Sequence, residues 1–329
     1  MDTKLVKILL TRYHQLGGLR LIREYARMGL LLPAAKKALH SPFNRNVYIS
    51  IYHDLARGVE PVLFNRYAPM MVEKKKFYAA QHHEHPRSKL VWFCWLQGLE
   101  NAPRIVKACY NSLKAHLSDR EIKVIDNGNW HKYIELPEYV LTKWKKKQIP
   151  PAQFSDLIRV QLLIKYGGTW IDSTVLCTGF KGSNIQEFKE YLDTDLFMFQ
   201  YTHPKGGQWA GISNWFITSC SNNEVLLVLR DMLFEYWKDY DYTLSYYIFH
   251  LFFSMLREVY PDQIAAMPYG YSGNSLVLGH HWRESFKQEN WDKLTSYVSF
   301  HKLVHNVKKE VMEGNGSYYN YIINKYLDA

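Results

Sequence analysis

The sequence predicts an α/β protein with a parallel sheet, and three stretches carry that prediction. The first is a strand–helix–strand unit. Leu90 to Leu96 is a continuous apolar run, as expected of a strand covered on both faces. Gln97-Gly98 follow, and then a helix with Pro103 early in it and a stripe of Val106, Cys109, Tyr110, Leu113 and Leu117. Glu121 to Ile125 reads as the next strand, closed by the turn residues Asp126-Asn127-Gly128-Asn129. The second stretch runs from Phe154 to Thr178. Ser155 is the expected N-cap of a helix whose face holds Leu157, Val160, Gln161 and Ile164. Gly167-Gly168 ends that helix, because glycine takes the left-handed conformation without a Cβ penalty. Thr169-Trp170-Ile171 is then a buried strand with Asp172 where it stops. The third is the continuation: strands at Leu196–Tyr201 and Ile212–Thr218, and helices at Asn223–Lys238 and Ser245–Tyr260.

Ligands of open α/β sheets bind at the carboxyl ends of the strands. Three predicted strands end in polar groups: Gln97, Asp126 with Asn129, and Asp172. An oxygen ligand at such a rim suits Mn²⁺ or Mg²⁺, and Asp172 is the expected metal or phosphate-site residue. Asp156 and Arg159, three apart, share a helix face. Read without context they are an ordinary surface ion pair.

Before residue 88 the chain has a different character. Residues 1–45 hold nine Lys/Arg against Asp2 and Glu24, which is seven of the ten net positive charges. Leucine and isoleucine lie between those charges, at Leu5, Ile8, Leu9, Leu19, Ile22, Leu30 and Leu32 among others. Basic amphipathic helices of this kind lie in the interface of anionic membranes, and they also pack on neighbouring domains with a solvated basic face. No nucleic-acid module follows, so no nucleic-acid partner is expected. The expected division is a basic helical region over residues 1–87 and a catalytic domain over 88–329. The segment Glu73–Ser88, with its run of His82, His83 and His85, reads as a solvated connector rather than a zinc site. No signal peptide is read at the start, and no apolar run approaches the roughly 20 residues that span a bilayer. The four cysteines, Cys94, Cys109, Cys177 and Cys220, have no paired spacing, consistent with buried thiols in a reducing compartment.

The pattern Ser155-Asp156, Arg159, Leu162-Leu163, Tyr166-Gly167-Gly168, Trp170 and Asp172-Ser173-Thr174 resembles the capsular polysaccharide synthesis glycosyltransferases. These are relatives of the DXD-containing sugar transferases of the glycosyltransferase 32 group. Val91–Ser112 resembles that family's first strand and helix, and Ser299–Asn306 its C-terminal His-Lys element. The likeness covers roughly residues 88–306. The DXD position reads Asp172-Ser173-Thr174, with threonine where the second carboxylate stands in related enzymes.

The resemblance implies a GT-A fold and a metal-dependent, retaining transfer of a hexose, galactose or glucose, from a UDP-sugar. The implied acceptor is a polyprenyl-diphosphate-linked saccharide at the cytoplasmic face of a bacterial membrane. It implies that Asp172 and His301 hold the metal, with His305 and His280-His281 as rivals to the latter. Lys302 would contact the phosphates, and Asp156 the donor's hydroxyls, supported by Arg159. Gln97, Asp126 and Ser173 complete the expected donor site. No nucleophile stands out, and front-face attack would need none. Gln208, Asn214, Asp241 and His250 are the further polar candidates, of which Asn214 and His250 are expected at the catalytic centre.

Overall fold

A computed structural model describes residues 18–39, 45–81, 83–181, 185–201, 211–314 and 316–328. Gln208, His82 and the basic residues before Gly18 lie outside the described residues.

Among the described residues three helices precede the sheet: α1 (Leu19–Arg27), α2 (Leu31–Leu39) and α3 (Arg45–Ala79). The bend between the first two falls at Gly29, whose φ of +73° suits a residue without Cβ. Helix α3 places Val59, Leu63, Tyr67 and Met71 four residues apart, so one stripe is buried. The predicted connector therefore begins later than Glu73, because Lys74, Lys75 and Lys76 belong to the last turns of α3. Tyr25 of α1 is buried, and its hydroxyl donates to the Leu244 carbonyl at 2.6 Å.

The sheet then builds in chain order. Strand β1 (Leu90–Cys94), helix α4 (Arg104–His116) and strand β2 (Glu121–Ile125) form the predicted parallel unit. Helices α5 (Glu138–Lys145) and α6 (Pro151–Tyr166) lead into β3 (Gly168–Asp172). Strand β3 lies parallel to β1 on the side away from β2. After the short β4 (Val175–Cys177) and α7 (Ile185–Leu192) come β5 (Leu196–Gln200) and β6 (Ile212–Ser219). The order is β2-β1-β3-β6-β5, and β6 runs antiparallel to both its neighbours. The sheet is mixed rather than wholly parallel. Strands β5 and β6 are antiparallel neighbours, a pairing that requires no crossover helix.

Helices α8 (Glu224–Asp239), α9 (Ile248–Leu256), α10 (Pro261–Ala265), α11 (Ser272–His281) and α12 (Gln288–Tyr297) follow. Strand β7 (Phe300–Lys302) pairs antiparallel with β4 as a separate two-stranded sheet, and α13 (Lys309–Glu313) and α14 (Tyr318–Tyr326) end the chain. Alternation along the strands feeds two cores. Trp92, Trp170, Met198 and Ile217 pack with α3, α6, α8 and α9. Val91, Phe93, Ile171, Phe197 and Phe216 pack with α4, β4, β7 and α14.

Two local features set the position of β3. Helix α6 begins at Pro151, preceded by Pro150 in an extended conformation, so Ser155 is not the N-cap. Proline suits the first helical position, whose N–H is unsatisfied anyway. Ser155 lies one turn in and returns its hydroxyl to the Ala152 carbonyl at 2.7 Å. Nor is α6 one-faced: residues 156–160 are all buried, charged ones included. At its other end Gly167, with φ of +64°, stops the helix, and Gly168, with φ of +91°, starts the strand. A Cβ on Gly168 would lie 2.3 Å from the Leu90 carbonyl oxygen, so only glycine lets β3 come this close to β1.

Candidate active site

The carboxyl ends of β1 and β3 and the amino end of antiparallel β6 meet at one rim. A cleft of about 420 Å³ opens there. Its walls are the residues after β1 (Trp95, Leu96, Gln97), the first turns of α6, the end of β3, and Asn214 of β6. Tyr246, His250, Lys302 and His305 complete the lining.

Four charged side chains run across it in alternating sign. Asp156 Oδ1 forms an ion pair with Arg159 Nη1 at 3.1 Å and accepts from the Asn214 amide at 2.9 Å. Arg159 Nη2 reaches Asp172 Oδ1 at 3.4 Å, and Lys302 Nζ donates to Asp172 Oδ2 at 2.7 Å. The order is Asp156, Arg159, Asp172, Lys302. The i,i+3 pair on α6 is thus no surface pair, since Asp156 and Arg159 are both buried. Arg159 is further fixed by the Asn214 carbonyl at 2.6 Å, by Ser155 Oγ at 3.1 Å and by the Trp170 ring, 4.8 Å from the guanidinium carbon.

Burial sets the protonation pattern. It pushes the Asp156 carboxyl up to about 7, against the opposing charge of Arg159. Burial acts on Asp172 in the same sense, but the Lys302 and Arg159 charges overcome it and hold that carboxyl below its ordinary value. Two carboxylates in one cleft are therefore unlike. Asp172 is a fixed anion, and Asp156 takes up a proton near neutrality.

The predicted residues divide cleanly by position. Gln97, Asp156, Arg159, Asp172, Ser173, Asn214, His250 and Lys302 line the cleft. Asp126 does not. Its Oδ1 accepts from the Gly128 N–H at 2.7 Å, so the carboxylate is used in its own turn. Nor does Asp241, which accepts from Gln148 at 3.2 Å on another face. His301, expected beside Asp172, also lies elsewhere. Side chains alternate along β7, so Lys302 faces the cleft and His301 the opposite side. There it is wholly buried, with Nε2 3.2 Å from Thr178 Oγ1. His305 is the histidine from this segment that lines the cleft, its ring 5.4 Å from that of Trp95. Trp95, Gln153, Thr174 and Tyr246 were not foreseen. Trp95 Nε1 and Gln153 Oε1 are buried and have no hydrogen-bond partner among the described residues. Trp95 lies inside the apolar run Leu90–Leu96, directly after β1, and the run alone does not mark it as a cleft residue; Gln153 has no local signal.

The divalent ion that the resemblance implies is poorly matched by these donors. Both Asp172 oxygens are engaged, one by Trp170 Nε1 at 3.0 Å and by Arg159, the other by Lys302. Thr174 stands at the second motif position, and its hydroxyl also receives Lys302, at 2.7 Å. Among the described residues no three His, Cys, Asp or Glu side chains converge. An ion on Asp172 would have to share it with an ammonium. At 4 Å and an effective dielectric of 20, a dication and an ammonium repel by about 8 kcal/mol, which offsets the comparable attraction of the dication to the carboxylate they would share. The residues present do not fit a divalent ion.

Two histidines, His250 half-buried and His301 wholly buried, predict an acid response. Burial pushes His250 down to about 3, with Arg159 adding to the effect, and His301 down to about 4. Both are neutral when folded, while the unfolded chain protonates its histidines below about 6.5. Their stabilisation is therefore complete above pH 6.5 and is lost as pH falls toward 4. The wholly buried His301 contributes a loss of about 2 kcal/mol between neutrality and pH 5, and the half-buried His250 contributes less. Asp156 works the other way, because its protonation below about 7 relieves a buried charge. Urea denaturation at pH 7.5 and 5.0 separates them. His301→Gln is expected to shrink the acid-induced loss by about 2 kcal/mol, and an unchanged loss would contradict the neutral burial.

Among curated proteins none matches this chain in sequence. Among solved structures it is similar to one described as PaToxG Glycosyltransferase, at 13% identity and a TM-score of 0.38. The match spans 61% of this chain and 79% of that one, and the likeness is too slight to carry a fold or a function. A family model described as "Capsular polysaccharide synthesis protein" matches residues 61–322, which include the last part of α3, the whole sheet and every residue of the cleft. This chain belongs to the capsular polysaccharide synthesis family.

Proposed function

We propose that this protein is a glycosyltransferase of GT-A type that moves a hexose from a UDP-sugar to a polyprenyl-diphosphate-linked saccharide. The observation that carries the reading is the alternating charge row at the strand-end rim. It offers a diphosphate two fixed cations, Lys302 and Arg159, and offers sugar hydroxyls the Asp156 carboxyl and the unpartnered Trp95 and Gln153 atoms. Membership of the capsular polysaccharide synthesis family supports a saccharide substrate.

In the reaction the bond between the anomeric carbon and the β-phosphate oxygen breaks, and its electron pair leaves with the nucleoside diphosphate. An acceptor hydroxyl oxygen forms the new bond, and its proton passes to the departing phosphate. Retention follows if both events occur on one face of the sugar, and no protein base is then required. Lys302 neutralises charge that grows on the leaving oxygen, the kind of interaction that lowers a barrier because it strengthens in the transition state.

Release of nucleoside diphosphate from a panel of nucleotide sugars, with a lipid-linked or short saccharide acceptor, tests the proposal. UDP from one donor, with a lengthened acceptor, is the expected result. Pyrophosphate or nucleoside monophosphate as the product would sink it.

The location proposed is the inner face of the cell membrane, held peripherally. No helix among the described residues is long and apolar enough to cross a bilayer. Support comes from the outer side of α1 and α2, where Leu19, Ile22 and Leu32 are exposed beside Arg23 and Arg27. Basic residues near an anionic surface contribute about 1 kcal/mol each. Arg23→Glu with Arg27→Glu is expected to lower co-sedimentation with anionic vesicles at least tenfold at low salt. Equal binding of wild type and variant would remove the support.

A further inference from the structure

We propose that the Lys302 ammonium is the resident cation of the diphosphate site and that this enzyme works without a divalent metal. The inference rests on the glycosyltransferase reading above and names what binds the leaving group.

Lys302 Nζ sits between the first and third residues of the strand-end motif, 2.7 Å from Asp172 Oδ2 and 2.7 Å from Thr174 Oγ1. An ammonium has three N–H donors, and among the described residues these two oxygens are its partners. The third donor is left for a ligand in the cleft that Lys302 lines. The motif has changed in the same sense. A threonine hydroxyl is a good acceptor for an ammonium and a poor ligand for a hard dication, which favours carboxylates.

The placement is built into the backbone. Lys302 is paired with Val175 across β4 and β7, and the next residue, Leu303, donates its N–H to the Thr174 carbonyl at 2.8 Å. The strand that carries the cation is thereby stitched to the loop that carries its acceptors. A charge held in this way needs no reorganisation when a phosphate arrives. Arg159 on the other oxygen of Asp172 leaves that carboxylate between two cations. Lys302 donates a hydrogen bond to the β-phosphate oxygen, and it transfers no proton and forms no covalent bond.

Titration calorimetry with UDP, GDP and CDP as probes, in EDTA and then in Mn²⁺, tests this alongside nucleotide-sugar turnover in the same buffers. For wild type, UDP affinity and turnover are expected to agree within about threefold between the two buffers. Lys302→Met is expected to lose at least thirtyfold in UDP affinity in EDTA. Lys302→Arg, which keeps a charge, should stay within about tenfold of wild type. Thermal melts of both variants confirm that they fold.

Turnover that collapses in EDTA and returns with Mn²⁺ would overturn the inference and leave the glycosyltransferase reading standing. Wild-type UDP affinity in Lys302→Met would also overturn it. No binding of any probe and no turnover of any donor in either buffer would overturn the glycosyltransferase reading, and the inference with it.

Discussion

Asp172→Asn is expected to lower turnover by two to three orders of magnitude while changing UDP affinity less than tenfold. The substitution keeps the side chain's size and removes its charge. Asp172 anchors Lys302 through one oxygen and Arg159 through the other. Without it the ammonium keeps only Thr174, a neutral acceptor, and the cleft as a whole becomes more positive. Binding of a diphosphate therefore survives, since the attraction of two cations for the ligand is no longer shared with a carboxylate. Orientation does not survive, and losing one well-placed group at a developing charge costs about 10²–10³ in rate. The expected signature is a fall in kcat with KM little changed, which marks an interaction made chiefly in the transition state. Full activity in Asp172→Asn would remove Asp172 from the catalytic centre. A collapse of UDP affinity with kcat preserved would make it a ground-state binding residue instead.

Much of this arrangement was legible in the chain. Buried strands announce themselves as apolar runs, and β1, β2, β3, β5 and β6 lie within about two residues of their predicted bounds. The strand-end position of Asp172 follows from Gly167-Gly168 and the short run after it, because those are local signals. The misplacements have equally local or plainly non-local causes. Ser155 has the right side chain for a cap, but Pro150-Pro151 fixes the helix start a turn earlier. The direction of β6 is set by pairing with β3 across some fifty residues of chain, and no local pattern records it. That direction is also what brings Asn214 to the rim, since the amino end of an antiparallel neighbour lies beside the carboxyl end of β3.

His301 and Lys302 show the limit most sharply. Adjacent residues in a strand point to opposite faces, so a sequence motif containing both supplies one of them to the cleft. Which one depends on the register of β7 against β4, where Val175 lies opposite Lys302 and Leu176 opposite His301. A slip of one residue would exchange them. Burial of the Asp156–Arg159 pair was equally hidden. Spacing shows that the two share a face of α6, and only the fold, which sets Asn214 of β6 against both side chains, shows that this face is interior.

The second large effect follows from that burial. Arg159→Met is expected to destabilise the fold by about 3–5 kcal/mol, because removing one partner of a buried ionic network leaves the others uncompensated. The guanidinium lies between Asp156 and Asp172, and also serves the Asn214 carbonyl and Ser155. Methionine has a similar reach and can lie on Trp170, so packing is largely kept and the loss reports on charge. Part of it is relieved by protonation, since Asp156, already held near neutrality, will take up its proton more readily once Arg159 is gone. Adding Asp156→Asn to Arg159→Met removes the stranded charge outright. The double variant is expected to recover about 2 kcal/mol of the single variant's loss in urea denaturation at pH 8, and less at pH 5.5, where Asp156 is protonated in either case. Arg159→Lys should not restore stability, because one ammonium cannot serve both carboxylates and a carbonyl in the geometry of a planar fork. A loss below about 1 kcal/mol in Arg159→Met would show that water or the remaining dipoles carry the two carboxylates, and that the alternating row is not what holds the cleft in shape.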